Sequence, residues 1–308
     1  MAAIEINEVA PRDGLQIEGE FVATEDKIAL INALSATGLA RIEATSFVSP
    51  KAIPQLRDAA DVMQGISRRP GVAMTALVPN VKGVERALRC DVDEINLVMS
   101  ASRSHGLANL RMSPEQSLEQ FAEIVQTVRD HPKGQGVFIN ASLSTSFGCP
   151  FEGRVDQHYV LMLMERLLDL GVQGISLCDT TGMANPEQVS RLCEAARERL
   201  SDTPLTLHFH NTRGMGLANA LAAWQAGIVR FDASLGGLGG CPYAPGATGN
   251  VCTEDLVHMF EEMGVSTGVD LDALLKVSER LPALVGHDTP GQVVKAGKAS
   301  RRYAMPAH

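Results

Sequence analysis

The sequence predicts an α/β fold, specifically a (β/α)8 TIM barrel with an appended C-terminal helical segment. Three observations carry that prediction. Short β-branched runs alternate with amphipathic stretches of helical length, eight such units can be counted, and no low-complexity linker interrupts them. The first strand also leads into Pro11-Arg12-Asp13-Gly14 rather than the G-x-G-x-x-G turn of an open dinucleotide-binding sheet, which favours a closed barrel. At 308 residues and 45% hydrophobic content the chain can bury one large core. A single catalytic domain over 1–308 is expected, with the barrel over about 3–265 and the extension and tail over about 266–308.

Taken in order, the first strand is expected from Ile4 to Ala10, followed by the helical segment TEDKIALINALSATG with Thr24 as its cap. The second, third and fourth strands read Ala40 to Phe47, Val72 to Pro79 and Glu94 to Met99. SPEQSLEQFAEIVQTVR then opens on Ser113, with Gln116 three residues on, the pattern of a capping box. The fifth strand reads Gly136 to Leu143 and the sixth Gly174 to Cys178, with a helix opening near Asn185-Pro186. The seventh strand spans Leu205 to His210 with a helix from about Gly214, and the eighth spans Arg230 to Leu235. The last barrel helix begins at about Thr253, which is placed to cap it. From about Asp270 an appended helical segment follows, then a tail, GQVVKAGKASRRYAMPAH, expected to lack regular structure.

Composition narrows the function. The formal charge is -9 and the Lys and Arg residues are scattered, so neither nucleic acid nor an anionic membrane is an expected partner. The N-terminal MAAIEINEVAPRDG has no signal or transit pattern, and no apolar run reaches membrane-spanning length, so a soluble cytoplasmic protein is expected. The six cysteines form no CxxC pair and read as reduced thiols. Cys90, Cys178, Cys193 and Cys252 fit packing positions, and Cys149 near the rim stays open.

Reactive groups of a TIM barrel project from the carboxyl ends of its strands. Arg12 and Asp13 end the first strand; Glu43 and Ser46 lie in the second, Ser176 and Asp179 in or after the sixth. The seventh ends in His208 and His210, and SLGGLGGCPYAPGATGN after the eighth holds Cys241 and Asn250. His208 and His210 are two apart on a strand and therefore share a face. With the Asp13 carboxylate and the Asn250 carbonyl they form an oxygen and nitrogen donor set without thiolate, suited to Mg2+ or Mn2+. Arg12 is a candidate to stabilise charge on an enolate oxygen. Glu43 and Asp179 either position Arg12 and the histidines or transfer protons directly. Cys241 lies among glycines that let its backbone approach a ligand or move over it. The same glycine run is also a candidate phosphate site.

As a set these residues resemble the 3-hydroxy-3-methylglutaryl-CoA lyase family of the metal-dependent lyase and Claisen-synthase superfamily. The segments that carry the resemblance are EVAPRDGLQ, IEATSFVSPKAIPQ, GCPFEG, ISLCDTTGMANP, LHFHNTRGMGLANAL and GGLGGCPYAPGATGNVCTEDLV, from residue 8 to about 257. The resemblance implies that Asp13, His208, His210 and Asn250 hold the metal and that Arg12 stabilises the acetyl thioester enolate. It further implies that Cys241 serves in proton transfer, assisted by Glu43 and Asp179, and that Ser46 and Ser176 line the acyl pocket. The implied reaction is cleavage of (S)-3-hydroxy-3-methylglutaryl-CoA to acetyl-CoA and acetoacetate by a homodimer. The alternatives are a citramalyl-CoA-type lyase or a synthase condensing acetyl-CoA with a 2-oxo acid. Asn211, Arg213 and Ile17 depart from the family pattern and bear on the acyl chain accepted. The C-terminal cysteine motif of some animal members is absent.

Overall fold

The structure is a computed structural model that describes residues 3–200, 202–240 and 249–305. Its framework alternates strand and helix. β1 (Glu5–Glu8) leads through a π-helical turn at Ala10–Gly14 to α1 (Thr24–Ser35), and β2 (Arg41–Ser46) is followed by α2 (Ala59–Gly65). Then come β3 (Ala73–Leu77) with α3 (Val81–Arg89), and β4 (Glu94–Ser100) with α4 (Arg103–Asn109) and α5 (Pro114–Asp130). β5 (Phe138–Ser144), α6 (Gln157–Leu170), β6 (Gly174–Asp179), α7 (Pro186–Leu200), β7 (Leu205–Phe209) and α8 (Gly216–Gln225) continue the pattern. β8 (Arg230–Ala233) and α9 (Thr253–Glu262) complete it, and α10 (Leu271–Ser278), α11 (Leu281–Val285) and α12 (Val293–Ala296) are appended. The strands pair in parallel in sequence order and β8 returns to β1, closing the barrel the sequence predicts. Among the described residues no helix is long and apolar enough to cross a membrane.

Side-chain alternation makes the two strand faces differ. Ile42, Met74, Ile95, Leu97, Leu177 and Leu207 belong to the buried hydrophobic core, on the face turned to the helices. Glu5, Arg41, Thr75, Asn96, Asn140 and Thr206 line a small cavity of about 10 Å3 within the barrel. A TIM-barrel interior is ordinarily filled by branched apolar side chains; here it is polar.

Three local expectations change. Thr24 is the first residue of α1, not its cap, because its hydroxyl donates to Asp58, which also receives the buried Lys27 ammonium at 2.8 Å. Thr253 likewise begins α9 without capping it: its hydroxyl donates to the buried Glu8 carboxylate at 2.7 Å. In both places the residue before the threonine, Ala23 or Cys252, takes the cap position, and the threonine hydroxyl donates to a carboxylate from another element. The tail is partly ordered, since the carboxylate of Asp255 accepts from the backbone N–H groups of Gln292 and Val293 at the start of α12. Ser113 does form the expected capping box with Gln116.

Candidate metal centre and active site

The π-helical turn after β1 bends Arg12 and Asp13 over the carboxyl end of the barrel, where both are buried. Its N–H groups at Arg12, Asp13 and Gly14 all point to the carbonyl of Val9, which fixes the turn. His208 lies on β7, and His210, one residue past its end, forms an antiparallel bridge with Asn250. The imidazole centroids are 5.2 Å apart. Ligand atoms of Asp13, His208 and His210 all lie within 4.8 Å of one another. Asn250 closes the group, its amide nitrogen donating to Asp13 Oδ2 at 2.8 Å and to the Leu238 carbonyl at 3.0 Å.

These residues fit a hard divalent cation. Asn250 Oδ1 is buried without a hydrogen-bond partner, as is His210 Nδ1, and such orphaned polar atoms are costly unless something occupies the site. The amide nitrogen being engaged, Oδ1 is the atom Asn250 has left to offer a cation. The donors are oxygen and imidazole nitrogen only, which suits Mg2+ or Mn2+. Two glycines permit this packing. A Cβ on Gly239, where φ is +104°, would lie 2.6 Å from Asn250 Nδ2, and one on Gly249 would lie 2.1 Å from the Gly237 carbonyl oxygen.

Arg12 sits between two carboxylates. Its Nε and Nη2 donate to Glu43 Oε2 at 2.7 and 2.6 Å, and its Nη1 to Asp13 Oδ1 at 2.6 Å. Three of its five N–H groups are used in this way, leaving two for a ligand. Burial alone would make the guanidinium easier to deprotonate, but Glu43 and Asp13 more than reverse that. Burial pushes Asp13 up, yet Arg12 and then the two histidines pull it down to about 2, so it is ionised and ready to bind a cation. Burial and the neighbouring His208 hold His210 at about 3, the neutral form a metal ligand requires. For Glu43, burial outweighs the Arg12 charge and the net direction is upward.

Sequence reasoning missed Asp232. Its Oδ2 lies 3.1 Å from His208 Nδ1, and its Oδ1 accepts from Asn7 at 2.9 Å. Burial lowers the His208 pKa, but the bond to Asp232 and its charge raise it overall. A carboxylate on one ring nitrogen orients the imidazole and leaves Nε2 for the ion. The signal lies in strand register, because His208 and Asp232 are directly paired on β7 and β8. Gln16, within the EVAPRDGLQ segment, also donates to Asp13 Oδ1 at 2.7 Å.

The other candidates divide. Asp179 ends β6, where its Oδ1 accepts from the backbone N–H groups of Met183 and Ala184 and its Oδ2 is buried without a hydrogen-bond partner; the carboxylate bonded to His208 is that of Asp232. Burial raises Asp179 to about 6 against those two donors. Ser46 ends β2, buried, and accepts from the Val48 N–H at 3.3 Å. Ser176 lies deeper, within β6, where it accepts from Asn140 at 3.0 Å. Cys241 falls outside the described residues. Cys149 is fully buried against Ser102, with Sγ and Oγ 2.9 Å apart. Arg213 spans two rim loops by donating to the carbonyls of Thr181 and Gly182 at 2.9 and 2.8 Å, and Asn211 accepts from the Gly216 N–H that starts α8.

Comparison with known proteins gives a consistent result. The HMGL-like family model matches residues 3–281. The chain is 47% identical over 297 residues to a hydroxymethylglutaryl-CoA lyase of Bacillus subtilis, covering 96% of this chain and 98% of that protein. It is 42% identical over 307 residues to an (R)-citramalyl-CoA lyase of Chloroflexus aurantiacus, covering 96% of each. Among solved structures, an HMG-CoA lyase from Acinetobacter baumannii in complex with coenzyme A and 3-methylmalate is similar with a TM-score of 0.94 and 53% identity, covering 99% of this chain and 98% of that one.

Proposed function

The chain belongs to the HMGL-like family, and from that premise we propose that it is a divalent-metal-dependent lyase cleaving (S)-3-hydroxy-3-methylglutaryl-CoA into acetyl-CoA and acetoacetate. The observation that carries this reading is the convergence of Asp13, His208, His210 and Asn250 beside the Arg12 guanidinium at one mouth of the barrel.

Asp13, His208, His210 and Asn250 are the residues that would hold Mg2+ or Mn2+, and the ion supplies Lewis-acid polarisation of the substrate oxygens. The protein supplies the rest. Loss of the proton from the tertiary hydroxyl lets the bond between C2 and C3 break. Its electron pair moves onto the thioester carbonyl and the ketone of acetoacetate forms. The two N–H groups of Arg12 not bound to Glu43 or Asp13 stabilise the enolate oxygen, where charge develops in the transition state. Protonation of C2 completes acetyl-CoA. Cys241 serves in proton transfer, Glu43 and Asp179 assist, and Ser46 and Ser176 serve the acyl pocket. The enzyme acts as a homodimer in the cytoplasm.

Purified protein with Mg2+ is expected to release acetyl-CoA and acetoacetate in equal amounts, and to stop after chelation until Mg2+ or Mn2+ returns. Failure to release acetyl-CoA from any branched 3-hydroxyacyl-CoA would end the reading. Cys241→Ala is expected to keep Mn2+ affinity and lose turnover; unchanged turnover refutes its proton-transfer role. Citramalyl-CoA belongs in the same assay, since a citramalyl-CoA lyase is among the similar proteins.

A further inference from the structure

Beneath Arg12 the barrel interior holds a chain of hydrogen bonds whose middle members, Asn96, Asn140 and Ser142, have no part in the reaction above. Glu43 presents its two carboxylate oxygens in different directions. Oε2 receives Arg12, and Oε1 accepts from the side-chain amide of Asn96 on β4 at 3.0 Å. The Asn96 carbonyl oxygen then accepts from Asn140 Nδ2 at 3.1 Å and from the Ser142 hydroxyl at 2.9 Å, both on β5. Asn140 also donates to Ser176 on β6 at 3.0 Å. The network therefore crosses β2, β4, β5 and β6 and ends on the guanidinium at the mouth.

Two features separate this arrangement from an incidental polar contact. First, two donors converge on Asn96 Oδ1, so the amide can present only its nitrogen to Glu43, and the orientation of Asn96 is determined. Second, room for the network is built into β6. Gly174 is directly paired with Asn140, and a Cβ there would stand 2.8 Å from the Phe138 ring and 2.9 Å from Asn140 Oδ1, crowding both. A partly satisfied polar network inside a barrel is worse than an apolar filling, so one whose members lock each other is a means of fixing a geometry. The end that matters chemically is Glu43, 1% exposed, whose carboxylate sets the plane of Arg12.

We propose that Asn96, held by Asn140 and Ser142, is a positioning residue for catalysis, orienting Glu43 and through it the Arg12 guanidinium that meets the enolate oxygen. Its side-chain hydrogen bonds run to Glu43, Asn140 and Ser142, and none of them reaches Asp13, His208 or His210. Because Arg12 is placed for charge that develops only in the transition state, loosening it lowers kcat and leaves KM alone. This rests on the proposed lyase reading, and wild-type protein inert toward every branched 3-hydroxyacyl-CoA would remove that reading rather than this inference.

The test is steady-state kinetics of Asn96→Ala with the full-length protein and Mg2+, alongside Mn2+ binding by calorimetry. Turnover is expected to fall about 10- to 100-fold, the range typical when a supporting hydrogen bond is lost. KM and Mn2+ affinity should each stay within about twofold of wild type, a pattern that general damage to the fold would not produce. Asn140→Ala, which leaves the Asn96–Glu43 bond in place, is expected to lose about 3- to 10-fold in kcat, and it decides the matter if Asn96→Ala does not fold. Wild-type kcat in the folded variants overturns the assignment. So does a loss of Mn2+ affinity in step with turnover, since the damage would then reach Asp13 rather than Arg12.

Discussion

Leu207 and His208 are neighbours on β7 yet belong to two different regions of the molecule. Leu207 turns outward and is fully buried in the apolar layer between barrel and helices. His208 turns inward, against Asp232 and within ligand distance of Asp13 and His210. The outward region is chemically uniform and gains its stability from area removed from water. The inward region is polar from the Glu5, Arg41 and Arg230 ion pairs at the floor to Arg12 at the mouth. Buried polar groups of this kind contribute little net stability and are costly when half satisfied. One face of each strand therefore holds the fold, and the other holds the site.

The sharpest separation should come from mutating the two neighbours. His208→Ala is expected to abolish detectable Mn2+ binding in calorimetry and to reduce turnover at least about 1,000-fold, because it removes a ligand outright. Its unfolding midpoint should fall less than that of the Leu207 variant, by the cost of leaving Asp232 Oδ2 buried without His208. Leu207→Ala is expected to cost about 2–5 kcal/mol of stability through lost burial and the cavity left behind. The fraction that remains folded should bind Mn2+ normally. A Leu207→Ala protein with normal stability, or a His208→Ala protein that unfolds, would break the division between the faces.

Asp232→Asn tests whether the inward region works as a connected unit. The amide keeps the shape but loses the charge that orients His208, so Mn2+ affinity should weaken about 10- to 100-fold, with stability nearly unchanged. Unaltered affinity would mean that His208 needs no help from Asp232.

These residues also show why some of the molecule is legible in sequence and some is not. The eight strands are visible because outward positions repeat as β-branched or apolar runs, and each observed strand falls within about two residues of its expected bounds. Asp13, His208, His210 and Asn250 are visible because they sit at strand ends, where a barrel places chemistry. Asp232, Asn96 and Asn140 lie in mid-strand, and nothing local marks a polar residue there as anything but solvent-facing. Their meaning depends on closure: Asp232 meets His208, and Asn96 meets Asn140, only through the register of adjacent strands. Thr24 and Thr253 fail as caps for a related reason, since the carboxylates that claim their hydroxyls are 34 and 245 residues away in sequence.

The smallest expected effect concerns a carboxylate that crosses the division, buried outside the metal centre. Glu8 ends β1 and accepts from the N–H groups of Ala10 and Leu235, each at 2.8 Å, and from Thr253. Burial raises its pKa to about 8 against the pull of those donors. Burial likewise raises Glu94 at the barrel floor to about 7, although Arg41 opposes it. For an acid raised in this way the folded state keeps its proton where the unfolded chain has lost it. The stabilisation is complete below the unfolded value near 4.5 and declines as pH rises through the folded value. Thermal midpoints are therefore expected to fall between about pH 5 and pH 8. Glu8→Gln, which keeps an acceptor oxygen but cannot ionise, should flatten that slope in part, with Glu94 supplying the remainder. A slope of the opposite sign, with the midpoint rising over the same window, would mean that the three donors hold Glu8 ionised in the folded protein and that burial does not govern it.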